Sequence, residues 1–209
     1  MKKAQWYFDF ISPFSYLQFN KVLGWRERLD ITPVPILFGG VLQHHGQLGP
    51  AEIKGKREFT YRFVRWQAEQ EGVTLRFPPA HPFNPVAALR LCIAAGTTWQ
   101  SIETIFAHIW RDGRAATVDD LGEIGRALGV MDVAAATGTD AVKAQLRANT
   151  DGAIAAGLFG VPTLICGDEI FWGNDATPMI EDWFAHPARF DEPEYRRIEQ
   201  LPYGIERRR

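Results

Sequence analysis

Only two cysteines, Cys92 and Cys166, stand in the 209 residues, far apart in the chain. No disulfide framework, zinc knuckle or Cys-x-x-Cys redox pair can be built from them. Charge imbalance is missing too: 23 Lys and Arg against 25 Asp and Glu leave a net charge of −2. No bulk field therefore draws the chain to nucleic acid or anionic lipid. The one basic run, Arg207-Arg208-Arg209, reads as a solvated tail. No stretch approaches the ~18 uninterrupted apolar residues of a membrane span. Lys2 and Lys3 precede an apolar stretch, as in a secretion signal, but Asp9 interrupts it, Pro13 follows and no small-residue cleavage site appears. A cytoplasmic protein without membrane or nucleic-acid partners is the expectation. The histidines (His44, His45, His81, His108 and His186) lack metal-ligand spacing, so no metal is expected. Gly-x-Gly-x-x-Gly, P-loop and Gly-x-Ser-x-Gly motifs are absent, which removes the common nucleotide-binding and α/β-hydrolase readings.

What is present is a change of pattern along the chain. Residues 4–11 form an aromatic run that reads as a strand buried on both faces. Ser12 offers a helix cap, Pro13 suits the first helical position, and 14–26 continues as a helix. A second strand is expected over 32–38, started late by its prolines and ended by Gly39-Gly40. From 52 to 156 the periodicity is helical. Phe59, Phe63 and Trp66 recur at helical spacing, 86–95 is nearly all apolar, and Trp99, Ile102, Phe106 and Ile109 form another stripe. Segments 119–128 and 139–156 supply two Ala-rich helices, and Pro78, Pro79, Pro82 and Pro85 stiffen one loop. Strand character returns over 161–172 as a hairpin around Gly167-Asp168, followed by a helix at 176–185. This order, β-α-β, helical insertion, β-β-α, predicts an α/β thioredoxin-like domain (1–43 plus 157–209) split by an all-helical insertion (44–156).

In such a fold, Ser12-Pro13-Phe14-Ser15 occupies the turn from first strand to first helix, where redox relatives place Cys-x-x-Cys. With serine at both positions, dithiol–disulfide exchange is chemically impossible there. Ser12 is either a helix cap alone or also a hydrogen-bond donor to a thiolate brought by another molecule. Val161-Pro162 is either a strand opening or a cis bond that leaves the Val161 backbone free to pair with an extended peptide. Asn174 and Asp175 are turn and capping residues, or a site for an α-amino group. Asp9 within the aromatic strand is either bonded to a nearby backbone N–H or Ser hydroxyl, or is a perturbed acid or base beneath the site.

The stretches Tyr-Phe-Asp-Phe-Ile-Ser-Pro-Phe-Ser-Tyr-Leu (7–17), Phe-Gly-Gly-Val-Leu (38–42), Arg-Phe-Pro-Pro (76–79), Gly-Leu-Phe-Gly-Val-Pro-Thr (157–163) and Phe-Trp-Gly-Asn-Asp (171–175) resemble the 2-hydroxychromene-2-carboxylate isomerase family. That family is similar to kappa-class glutathione transferases and shares their DsbA-like thioredoxin fold. The resemblance implies glutathione as cofactor and a small aromatic carboxylate as substrate. It implies that Ser12 hydrogen-bonds the glutathione sulfur, Val161 pairs with the cysteinyl backbone, and Asn174 with Asp175 holds the γ-glutamyl end. Gln47 is the implied further glutathione contact, and Lys56, Arg57 and Asn84 the substrate contacts. Related folds are often dimers, which makes a homodimer an expectation. Ala176 and Pro85 depart from the family pattern, an Arg commonly following the Asp and a small polar residue following the Asn. The implied chemistry is reversible addition of a Ser-stabilised thiolate to an unsaturated carbon. A kappa-like transferase or peroxidase, or a non-catalytic binding module, are the competing readings.

Overall fold

Odd and even positions of the first strand face opposite sides of a sheet, and at the C-terminal end of β1 (Lys2–Phe8) residues facing both sides, Trp6, Tyr7 and Phe8, are buried, while Lys3 and Gln5 are exposed. Trp6 and Phe8 stack at 4.5 Å on one side, where Phe19, Trp99 and Phe106 also meet Trp6. Tyr7 points to the other side, into a cluster with Ile36, Val41, Ala153, Leu158 and Val161. The computed structural model describes residues 1–205, so the Arg207–Arg209 run lies outside the described residues. The described chain forms two compact units that divide between Asn174 and Asp175.

The first unit holds a four-stranded sheet in the order β2-β1-β3-β4. β1 pairs in parallel with β2 (Leu29–Pro35), from Lys2 opposite Leu29 to Phe8 opposite Pro35. α1 (Pro13–Trp25) makes the crossover between them, capped by Ser12 with Pro13 in its first turn. β2 begins earlier than its prolines predict. It is an edge strand, where a residue without an N–H is tolerated, so Pro33 and Pro35 sit within it. Gly39-Gly40 likewise does not end a strand but opens α2 (Phe38–His45). A Cβ on Gly40 would stand 3.1 Å from Cγ2 of Thr150, so the absent side chain allows close approach of the two segments.

The expected helical run follows: α3 (Lys56–Gln70), α4 (Val86–Ala94), α5 (Trp99–Phe106), a π-helical turn (Ala107–Arg111), α6 (Gly122–Ala127), α7 (Val133–Gly138) and α8 (Asp140–Ala155). α4 packs on α7 and α8, and α2 on α8. α3 reaches the sheet layer through a cluster in which Leu17 of α1 meets Val64, Ala68 and Leu75. The stripe Phe59–Trp66 is not its buried side: Phe59 is 65% and Trp66 54% exposed. β3 (Thr163–Cys166) and β4 (Glu169–Trp172) then form the antiparallel hairpin, with Gly167 at φ 64° in the first loop position. The second unit carries α9 (Thr177–Ala185), at the expected place, and α10 (Pro193–Glu199). Among the described residues, no helix is long and apolar enough to cross a membrane.

Candidate functional site

Where β1 ends, the chain turns through Asp9, Phe10 and Ile11 into the Ser12 cap. Ser12 is 7% exposed, and its Oγ accepts the Ser15 N–H at 3.2 Å. A hydroxyl has one proton and two lone pairs, so this bond leaves its O–H free to donate. Pro13 has no N–H, and that of Phe14 meets no acceptor among the described residues, as expected in a first helical turn. The site thus offers an anion one hydroxyl and one amide at the positive end of a helix.

The turn itself is closely held. The Ser12 N–H donates to the Asp9 carbonyl at 3.1 Å, and the Ser12 carbonyl accepts from Tyr16 at 3.3 Å. Asp9, with no exposed surface, accepts from Ile11 N–H at 3.1 Å through Oδ1 and from Phe38 N–H at 2.9 Å through Oδ2. Burial pushes its carboxyl up to about 7, against the lowering effect of those backbone bonds. Asp9 is thus bonded to backbone N–H groups, as its structural reading expects. Trp110 Nε1 donates to the Phe10 carbonyl at 2.8 Å. His81 Nε2 lies 2.9 Å from the Ile11 carbonyl, and its Nδ1 lies 2.7 Å from the Tyr61 hydroxyl. Arg57 closes the chain of contacts, with Nε 3.1 Å from that hydroxyl and Nη2 3.0 Å from the His81 carbonyl. Burial, reinforced by the Arg57 charge, holds the His81 imidazole below its ordinary range although the Ile11 bond opposes the shift.

Antiparallel pairing of Tyr7 with Thr163 brings Val161 to the same end of the sheet, two residues beyond each partner. The Val161-Pro162 bond is cis. The Val161 backbone N–H and C=O make no hydrogen bond among the described residues, while its side chain joins the Tyr7 cluster. The Pro162 carbonyl accepts from Gly173 N–H at 2.9 Å. The Gly173 carbonyl accepts at 2.9 Å from Gln18, whose Oε1 accepts from Trp6 Nε1 at 2.8 Å. This buried relay ties the turn after β4 to α1 and β1.

The other expected site residues lie less centrally. Asn174 is buried, with Oδ1 2.7 Å from Lys21 Nζ and Nδ2 3.1 Å from Glu71 Oε1, so its carboxamide braces the Lys21–Glu71 pair. Asp175, the first residue of the second unit, is exposed. Gln47 is exposed, and its N–H closes the turn after α2 onto Leu42. Lys56 and Arg57 are exposed in the first turn of α3. Asn84 is exposed and its Oδ1 accepts from Val86 N–H at 3.0 Å at the start of α4. Ser12 and Val161 are brought to one end of the sheet, and Arg57 reaches the residue before Ser12 through two side chains. Among the described residues, no hydrogen bond ties Gln47, Lys56 or Asn84 to that turn. The sequence reading missed His81, Tyr61 and Trp110. In the sequence His81 reads only as a candidate metal ligand, and spacing gives no sign of a contact 70 residues away.

Both cysteines are free and buried. Burial pushes Cys92 up to about 12 and raises Cys166 as well, so neither supplies a nucleophile at neutral pH. No group of three His, Cys, Asp or Glu among the described residues is arranged to hold a metal. A cavity of about 360 Å³ is lined by residues that include His108, Arg111, Asp112, Arg114 and Glu123, and by none of the residues above. Its arginines already face carboxylates, Arg111 with Asp112 at 2.8 Å and Arg114 with Glu123 at 3.7 Å.

A model of the DSBA-like thioredoxin domain matches residues 5–185. The chain belongs to the DSBA-like thioredoxin domain family. Among its relatives in that fold, a 2-hydroxychromene-2-carboxylate isomerase of Pseudomonas sp. (strain C18) is 31% identical over 196 residues, 86% of this chain and 88% of that protein. A glutathione s-transferase kappa 2 of Caenorhabditis elegans is 27% identical over 211 residues, 90% of this chain and 94% of that one. The solved structure of a 2-hydroxychromene-2-carboxylate isomerase superposes with a TM-score of 0.77 at 25% identity, covering 90% of this chain and 97% of its own. The resemblance read from the motifs and the DSBA-like fold class are both borne out. The relatives named are an isomerase and a glutathione transferase, and in this DSBA-like chain serines stand at both ends of the Ser-x-x-Ser turn.

Proposed function

We propose that the protein is a glutathione-dependent isomerase of small unsaturated aromatic carboxylates, of the 2-hydroxychromene-2-carboxylate type. The observation that supports this reading most is the Ser12 cap. In a DSBA-like fold it presents a hydroxyl proton without a partner among the described residues at a helix N-terminus, while both thiols of the chain are buried elsewhere. Glutathione, when bound, would supply a thiolate that adds reversibly to the substrate double bond and is released unchanged after rotation about the resulting single bond. Ser12 donates its O–H toward the sulfur, and the Phe14 amide and the positive helix end favour the anionic form. Val161, with both backbone groups open, pairs with an extended peptide as an added strand would. The residues thus fit the tripeptide at its sulfur and at its central backbone.

Gln47 is the proposed further glutathione contact, and Lys56, Arg57 and Asn84 the groups that orient a substrate carboxylate. The Asn174 carboxamide is shared between Lys21 and Glu71, so its proposed part is to hold the turn before Asp175, whose carboxylate is left for the γ-glutamyl ammonium. Division into a thioredoxin-like part and a helical insertion, a cytoplasmic location and a homodimer belong to the same proposal.

The kappa relative supports a second reading, a transferase that releases the conjugate. Titration with reduced glutathione followed by thermal unfolding tests binding, because a ligand of the native state must raise Tm. A rise, with total free glutathione constant over many turnovers, is the expected result. Stoichiometric loss of glutathione supports the transferase instead, and no shift at millimolar glutathione overturns both.

A further inference from the structure

Every backbone hydrogen-bonding group from the Phe10 carbonyl to the Ser12 carbonyl has a partner, and two of these partners come from distant side chains. Trp110 holds the Phe10 carbonyl, and His81 holds the Ile11 carbonyl, which belongs to the peptide unit joining Ile11 to Ser12. The Trp110 contact is a single rigid indole N–H. His81 is different because the ring is itself set by two further residues.

A carbonyl can only accept, so the 2.9 Å contact to Ile11 places the imidazole proton on Nε2. Nδ1 then carries a lone pair and faces the Tyr61 hydroxyl at 2.7 Å, whose single proton it shares with the His81 carbonyl, also 2.7 Å away. The Tyr61 oxygen in turn accepts from Arg57 Nε–H at 3.1 Å, and Arg57 Nη2 donates to the carbonyl of His81 itself. Arg57 and Tyr61 are one helical turn apart on α3, so a single rigid element fixes both the tautomer and the plane of the ring. The remaining neighbours of the ring are Phe77, Phe83 and Trp110. Among the described residues, Arg57 and Tyr61 are the charged and titratable groups facing it.

We propose that His81, aligned by Tyr61 and Arg57, is a positioning residue for Ser12: its Nε2–H fixes the Ile11 carbonyl and so the orientation of the Ser12 side chain against the first turn of α1. The proposal deepens the thiolate reading, because the Ser12 hydroxyl is useful only when aimed at the sulfur beside the helix amide. Removing the Nε2–H leaves the Ile11–Ser12 peptide held on its N–H side alone, by the Asp9 carbonyl, so the unit can tilt about that bond and take the position-12 side chain out of register with the helix amide. In the proposed function Arg57 also has an outward part, which is open to it because Nη1 has no hydrogen-bond partner among the described residues.

The test uses a thiol placed at the position itself. In the full-length Ser12→Cys variant, the pH dependence of alkylation gives the apparent pKa of the new thiol, since Cys92 and Cys166 are buried. His81→Phe added to it is expected to raise that pKa by about one unit, as the thiol loses helix-terminal stabilisation. His81→Gln, whose carboxamide N–H can reach the Ile11 carbonyl, returns the value toward that of Ser12→Cys alone. Tyr61→Phe gives an intermediate shift and carries the test should His81→Phe fail to fold. An unchanged thiol pKa in the folded His81→Phe or Tyr61→Phe double variant overturns the proposal, because a side chain that only stabilises the fold would lower Tm without moving that titration. The measurement uses no glutathione, so its failure and a failure of the glutathione reading are separate results.

Discussion

Asp9→Asn probes the most unusual ionisable group of the turn. Asp9 is fully buried and its carboxyl is pushed from 3.8 to about 7. An acid whose folded value lies above its unfolded one favours folding fully below the unfolded pKa. That contribution is lost as pH rises through the folded pKa. The lost stability approaches the pKa difference times ~1.4 kcal/mol, on the order of 4 kcal/mol above pH 7. Asparagine cannot ionise, so this slope disappears. It presents one acceptor oxygen where both oxygens of the carboxyl can accept, the hydroxyl oxygen of the protonated acid included, and the N–H of Ile11 or Phe38 is left unpaired at roughly 1–3 kcal/mol. Chemical denaturation of both proteins from about pH 4 to pH 8 is the assay. The variant is expected to be less stable at the acid end and the more stable one at the alkaline end, so the two curves cross. The lowered His81 value contributes a slope of opposite sign, stability being lost as pH falls below 6.5, but it is common to both proteins and cancels in the difference. Parallel curves across the whole window would refute the assignment of a buried carboxyl of raised pKa at this position.

Three further outcomes follow from the packing. Ser15 Oγ is buried without a hydrogen-bond partner among the described residues, so Ser15→Ala should leave stability unchanged or raise it by about 1 kcal/mol in urea denaturation, and a loss of that size would show a hidden partner. A Cβ on Gly125 would stand 2.3 Å from Cγ2 of Val133 and 3.2 Å from the Val130 carbonyl. Gly125→Ala is therefore expected to cost roughly 1–3 kcal/mol, read as a lower Tm, and an unchanged Tm would contradict the close approach. Burial should keep Cys92 and Cys166 unreactive toward iodoacetamide in the native state, both becoming alkylated in denaturant, and rapid native labelling would contradict their placement.

Local chemistry carries much of the fold in the sequence. Ser12-Pro13 marks the start of α1 because a capping hydroxyl and a missing N–H both suit that one place. Gly167-Asp168 marks the hairpin because its first residue takes positive φ. Where the decisive partner is distant, the pattern misleads. Pro33 and Pro35 read as delaying β2 although the edge position tolerates them, and Gly39-Gly40 reads as a break although Thr150 packs against Gly40. The stripe of Phe59, Phe63 and Trp66 has helical spacing, yet Val64 and Ala68 form the buried side of α3. The same holds for the site. Ser12 and Val161 are readable from motif order, whereas His81 and Trp110 are brought to the Ser12 turn from 70 and 100 residues away, a juxtaposition no spacing encodes.

The central claim is that the Ser12 hydroxyl, with the Phe14 amide of α1, holds the sulfur of glutathione as a thiolate. Ultraviolet thiolate absorbance of bound glutathione, titrated against pH for the wild type and for Ser12→Ala, measures this directly. The account expects absorbance at neutral pH in the wild type and its displacement to higher pH in the variant, with glutathione still bound. Bound glutathione that titrates identically in both proteins, or that stays protonated at neutral pH in the wild type, would contradict it.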